Sequence, residues 1–130
     1  MVQVLFLKES MSEGAEANYR QKLEQSVRAG YEVLESGGDS TDAVIAAIMV
    51  LEDLDLFNAG KGSVFTHQAE VEMDASIMEG GSLNVGAIAG VRHIKNPIKL
   101  ASDVMNYPAQ SDFFLSQSLR RYSSATACLR

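Results

Sequence analysis

The longest periodic pattern in the chain covers residues 12–35. Tyr19, Leu23, Val27, Tyr31 and Leu34 recur three or four apart, with Arg20, Lys22, Glu24 and Arg28 between them. This is one apolar stripe on an amphipathic helix. Gly37 and Gly38 close it, because glycine accepts the left-handed conformation a helix C-terminus often needs. A second helix follows, with Ser40 the expected N-cap and Asp42 placed in the first turn to complement the dipole. Residues 43–51 are apolar nearly all round, so both faces of this helix are expected to be buried.

The period then changes. In EVEMDASIM (70–78), Val71, Met73, Ala75 and Ile77 alternate with Glu72, Asp74 and Ser76, which marks a strand with one wet face. SVFT (63–66) and LNVGAIAGV (83–91) read as its neighbours in an antiparallel meander. HQAE (67–70) is short enough for a hairpin link, and EGGS (79–82) is rich in turn residues. Gly86 and Gly90 in the third strand would let a covering layer pack closely. Asn96 and Pro97 open a last helix as N-cap and N1, with Ile98, Ala101, Val104 and Met105 facing inward. MVQVLF at the start reads as a short strand, and beyond Asn106 no period is sustained. Helices layered on an antiparallel sheet make the class α+β. The expected organisation is one domain over 1–106 and a divergent, poorly ordered tail over 107–130.

Composition narrows the function classes. A formal charge of −6, with no basic cluster against it, argues against nucleic-acid or anionic-membrane partners. The longest apolar run, 43–51, is far short of the roughly 20 residues that cross a bilayer. A single cysteine, Cys128, cannot form an internal disulfide, which fits a reducing, cytoplasmic compartment.

Candidate chemistry is sparse. His67 in a turn and His93 at a strand end have no nucleophile or orienting acid beside them, so both read as solvated. Glu70, Glu72 and Asp74 share one strand face, which suits either a hard cation or simply solvent. The string NAGKG (58–62) follows a helix and places its lysine between the glycines, unlike a phosphate-binding loop. By spacing alone, Asn58 and its glycines are either a tight connector or a ligand-facing loop.

Read in succession, QSVRAGYEVLESGGDSTDAV, LEDLDLFNAGKGSVFT, EVEMDASIMEGG and GAIAGVRHIKNPIKLA resemble the plant-type L-asparaginase/isoaspartyl peptidase family of N-terminal-nucleophile hydrolases. The resemblance covers roughly residues 8–106 and matches the N-terminal, α-subunit part of such proteins. It implies a four-layer αββα sandwich, of which this chain would hold an incomplete portion. It also implies hydrolysis of the side-chain amide of L-asparagine and of β-aspartyl peptide bonds.

For the loop, the resemblance implies a structural sodium ion held by the backbone carbonyls of Leu51, Glu52, Leu54, Phe57, Ala59 and Lys61. No organic cofactor is implied. Asn58 matches the asparagine that supports the reaction centre. The family's nucleophile is a threonine freed by cleavage of a Gly–Thr bond. Here Thr41, Thr66 and Thr126 follow Ser40, Phe65 and Ala125, so none qualifies as a catalytic residue. The expectation is a truncated, α-subunit-like chain, inactive without a β-subunit-like chain or full-length relative. The alternative is a non-enzymatic module that pairs with such a relative.

Overall fold

The computed structural model describes residues 12–107, so the strand expected at MVQVLF and nearly all of the 107–130 tail lie outside the described residues. Within them the class is α+β. Helix α1 (Glu13–Glu35) and helix α2 (Ser40–Glu52) come first. A long loop leads to strands β1 (Met73–Met78) and β2 (Val85–Val91), and helix α3 (Pro97–Asn106) follows.

The helix ends follow the local chemistry. The Ser12 hydroxyl accepts from the Ala15 N–H at 3.2 Å and starts α1. Gly37 ends it at φ +85°. The start of α2 lies one residue earlier than expected: Asp39 is the N-cap, its carboxylate accepting from the Asp42 N–H at 2.9 Å. An ionised cap adds charge complementarity to the hydrogen bond, so it prevails over the neighbouring Ser40.

Helix α1 does not bury the stripe its sequence advertises. Its buried residues are Ser26 and Gly30, which face α2. The Ser26 hydroxyl donates to the Ala47 carbonyl at 2.8 Å. A Cβ on Gly30 would sit 2.9 Å from the Ala43 carbonyl oxygen, so only glycine lets the two backbones approach this far. This small-residue contact rotates Leu23, Val27, Tyr31 and Leu34 outward, to exposures of 46–71%. Nor is α2 buried on both faces. Ala43 is buried and Val44 exposed, while Ile45, Ile48 and Met49 pack at the margin of the core.

The core lies between α3 and one antiparallel hairpin. β1 pairs with β2 in the register Ala75–Ile88, Ile77–Gly86 and Met78–Val85. The period-two reading holds: Met73 and Ile77 are buried while Asp74 and Ser76 face outward. They meet Ile88 and Val91 from β2 and all four residues expected on the inner face of α3. The ladder is irregular between Met73 and Ala75, where Gly90 takes φ +62° and donates its N–H to the Asp74 carboxylate at 2.7 Å.

SVFT is not a strand. It contributes one isolated bridge, Phe65 to Val71, because the preceding amides are already engaged. The Ser63 N–H donates to the Gly60 carbonyl and the Val64 N–H to the Asn58 side chain. The link after it does turn back as expected, with the Thr66 N–H donating to the Glu70 carbonyl at 2.8 Å. No described helix is long and apolar enough to cross a membrane.

This packing sets a stability contrast. Ile98 is 3% exposed and Val27 is 71% exposed. Ile98→Ala is expected to cost about 2–5 kcal/mol, while Val27→Ala should stay within about 0.5 kcal/mol of the parent. Urea unfolding of the two variants checks this, and equal costs would contradict the assigned faces.

Candidate functional site: the glycine loop and its tie to α3

The loop after α2 is built by side chains at its ends and glycines in its middle. Phe57, at 2% exposure, points back into the molecule and meets the Tyr19 ring edge-on, with centroids 5.6 Å apart. That contact fixes the loop against α1 and explains why Tyr19, alone of the sequence stripe, is half-buried. Asn58 accepts from the Val64 N–H at 3.0 Å through its side-chain oxygen, closing the loop across six residues. Between them, residues 60–62 form one 3-10 turn.

Two glycines are required here, for different reasons. Gly60 has φ +51°, and a Cβ on it would lie 2.3 Å from the Glu52 carbonyl oxygen. A Cβ on Gly62 would lie 2.2 Å from the Phe57 carbonyl oxygen. Backbone carbonyls are therefore pressed against both glycines, and any side chain would fill the cradle.

Of the six carbonyls implied as cation ligands, those of Leu51, Phe57 and Ala59 each accept a loop amide, from Leu54, Ala59 and Gly62 respectively. A carbonyl oxygen carries two lone pairs, so these bonds still leave capacity for a cation. Neutral oxygen donors on an irregular glycine backbone suit a hard cation. The residues present fit a sodium ion on that chemistry.

Glu52 supplies what the sequence did not advertise. It is 4% exposed, and its carboxylate accepts from the Ile98 N–H at 3.0 Å, at the start of α3. Its other oxygen is buried with no hydrogen-bond partner. Burial pushes this carboxyl above its ordinary range, against the opposing pull of the Ile98 amide. Beside it, the Asp53 carboxylate accepts from Lys95 at 3.0 Å and from the Asn96 side chain at 3.1 Å. Those two bonds hold the Asp53 carboxyl below its usual range. The available signal was an adjacent pair of acids, Glu52 and Asp53, ending an apolar helix run, which periodicity treats as a helix boundary.

A cavity of about 670 Å³ opens beside this junction, lined by Glu52, Asp53, Lys61, Arg92, His93 and Lys95 among others. Its charges are largely committed. Arg92 bridges Glu70 and Glu72, and Lys95 holds Asp53. Each acid of the strand face thereby has a partner, Arg92 for Glu70 and Glu72 and the Gly90 amide for Asp74. Among the described residues no group of three or more His, Cys, Asp or Glu side chains is arranged to hold a metal. His67 and His93 are both exposed.

The family model described as Asparaginase matches residues 4–121, wider at both ends than the quoted motifs. The chain is 48% identical over 93 residues to an isoaspartyl peptidase/L-asparaginase of Xenopus laevis, covering 72% of this chain and 30% of that protein. Its identity to the Bos taurus isoaspartyl peptidase/L-asparaginase is 44% over 116 residues, 89% of this chain and 37% of that protein. To the isoaspartyl peptidase of Escherichia coli strain K12 it is 43% over 95 residues, 73% of this chain and 30% of that one. The chain thus spans about a third of the length of these relatives, on their N-terminal side. Together with a glycine loop closed by Asn58 and seated on α1 by Phe57, these matches show that the chain belongs to the asparaginase family.

Proposed function

We propose that this chain provides the α-subunit-like part of a hydrolase acting on the side-chain amide of L-asparagine and on β-aspartyl peptide bonds. The observation that carries the reading is the closed loop, in which Asn58 is held by Val64 within the matched region. Asn58 serves as a supporting residue for the reaction centre. No threonine in these 130 residues follows a glycine, so on this reading the nucleophile lies outside them and is supplied by a β-subunit-like part or a full-length relative. On this reading the hairpin and α3 form one edge of an αββα sandwich that the partner completes.

The loop carbonyls of Leu51, Glu52, Leu54, Phe57, Ala59 and Lys61 hold a sodium ion, which would fix the loop and perform no chemistry on the substrate. A reducing, cytoplasmic compartment is part of this reading, and the single cysteine is compatible with it.

The test is complementation. Alone, the chain should release no ammonia from L-asparagine and cut no β-aspartyl dipeptide, because nothing is present to attack. Mixing it with a chain carrying the threonine part should restore hydrolysis in a stoichiometric titration. Turnover by the chain alone, above a heat-killed control, would overturn the assignment of the nucleophile. The exposed stripe of α1 favours a second reading, a non-enzymatic module that pairs with a full-length relative. Binding in the same titration without hydrolysis would select it.

A further inference from the structure

We propose that Glu52 is a positioning residue that couples the cation loop to the first turn of α3, so that an ion in the loop is felt at the Ile98 amide. The inference rests on the cation reading above and adds to it a side chain that the ligand set does not include.

Helix α3 lacks a cap of its own. Its N-cap residue, Asn96, makes no capping hydrogen bond, and its side-chain amide donates to Asp53 instead. The orphan Ile98 N–H is satisfied from 46 residues away in sequence, by the Glu52 carboxylate. Such a donor belongs to the group every helix leaves unpaired at its start, and a carboxylate there is favoured by the helix dipole. The same residue's backbone carbonyl is the one pressed against Gly60 in the loop. One residue therefore touches the loop through its backbone and α3 through its side chain.

Two further observations support coupling over plain packing. The second Glu52 oxygen is buried without a partner, a cost an apolar residue of similar size would avoid. The adjacent Asp53 repeats the tie, with both carboxylate oxygens accepting from Lys95 and Asn96. Residues 52–53 and 95–98 thus form one junction between two elements that meet at their ends. Whatever fixes the loop also fixes the acceptor for Ile98. By linkage, whatever fixes the start of α3 must favour the ion equally.

The experiment is amide hydrogen exchange on the full 130-residue chain, in sodium chloride against tetramethylammonium chloride at equal ionic strength, with thermal melting alongside. Sodium should slow exchange at Ile98. At a hundredfold excess over the dissociation constant, the slowing approaches about a hundredfold if loop and helix open together. Glu52→Gln keeps an oxygen acceptor and should retain the sodium effect at Ile98, whereas Glu52→Leu should lose it. If sodium raises the melting temperature of the parent chain while Ile98 exchange changes less than about twofold, the coupling is overturned and the ion site stands. If sodium alters neither, the ion site itself is overturned and the coupling falls with it. A folded Glu52→Gln variant in which Ile98 no longer responds also overturns the proposal. Even if Glu52→Leu fails to fold, a stabilised parent chain whose Ile98 does not respond overturns the proposal, and the Glu52→Gln variant still tests it.

Discussion

Gly86→Ala is expected to destabilise the fold by about 3 kcal/mol or more, although it adds one methyl group. Gly86 lies on β2 opposite Ile77, beneath α3. A Cβ there would lie 2.0 Å from the Ala101 carbonyl oxygen, 2.7 Å from the Met105 nitrogen and 2.8 Å from the Met105 Cβ. Two of those neighbours are backbone, so no rotamer change relieves the clash; α3 must lift from the sheet. Lifting it exposes Ile98, Ala101, Val104 and Met105, half of the buried core cluster. Small domains hold only about 5–15 kcal/mol in total, so the loss is a large share. Gly80→Ala is the control. Nothing lies within 4 Å of a Cβ at Gly80, and its cost should stay within about 1 kcal/mol in either direction. Denaturant unfolding that found the two variants equal would mean α3 does not sit on β2.

Much of this architecture was legible in the sequence, because period decides element type. The 3.6-residue repeat of residues 12–35, the strict alternation of 70–78 and the Asn96–Pro97 helix start each describe one element, and each formed. What periodicity could not decide was which face wins when two are available. Helix α1 carries a large apolar stripe and a small-residue row, and the row won because Gly30 admits the backbone of α2. SVFT has the composition of a strand, yet Asn58 and Gly60 take the Val64 and Ser63 amides from any ladder. In the candidate site, the glycines and Asn58 were visible as an unusual string, and the family resemblance gave them a role. Glu52 was invisible as a side chain. Its partner is Ile98, 46 residues away, and only the fold brings a helix C-terminus to another helix's start.

Sodium should stabilise this chain relative to a bulky organic cation at the same ionic strength, and Gly60→Ala should abolish that difference. An ion that binds the closed loop and not the unfolded chain contributes through mass action, about 2.7 kcal/mol at a hundredfold excess over its dissociation constant. Screening of the surface charges acts alike for both salts at matched ionic strength, so it cancels in the comparison. Gly60 is the sensitive position because two constraints meet there. Its φ of +51° disfavours any residue with a Cβ, and the Glu52 carbonyl oxygen would lie 2.3 Å from that Cβ. The alanine variant must therefore push away a carbonyl that belongs to the proposed ligand set. Loss of stability alone would not identify an ion site, since strain at Gly60 destabilises the loop with or without sodium. The informative quantity is the difference between salts, measured for parent and variant by melting in each. A parent chain whose melting curves coincide in the two salts would leave residues 51–61 as a connector held by Phe57 and Asn58. A variant that keeps the full sodium difference would place the ion outside the Gly60 cradle.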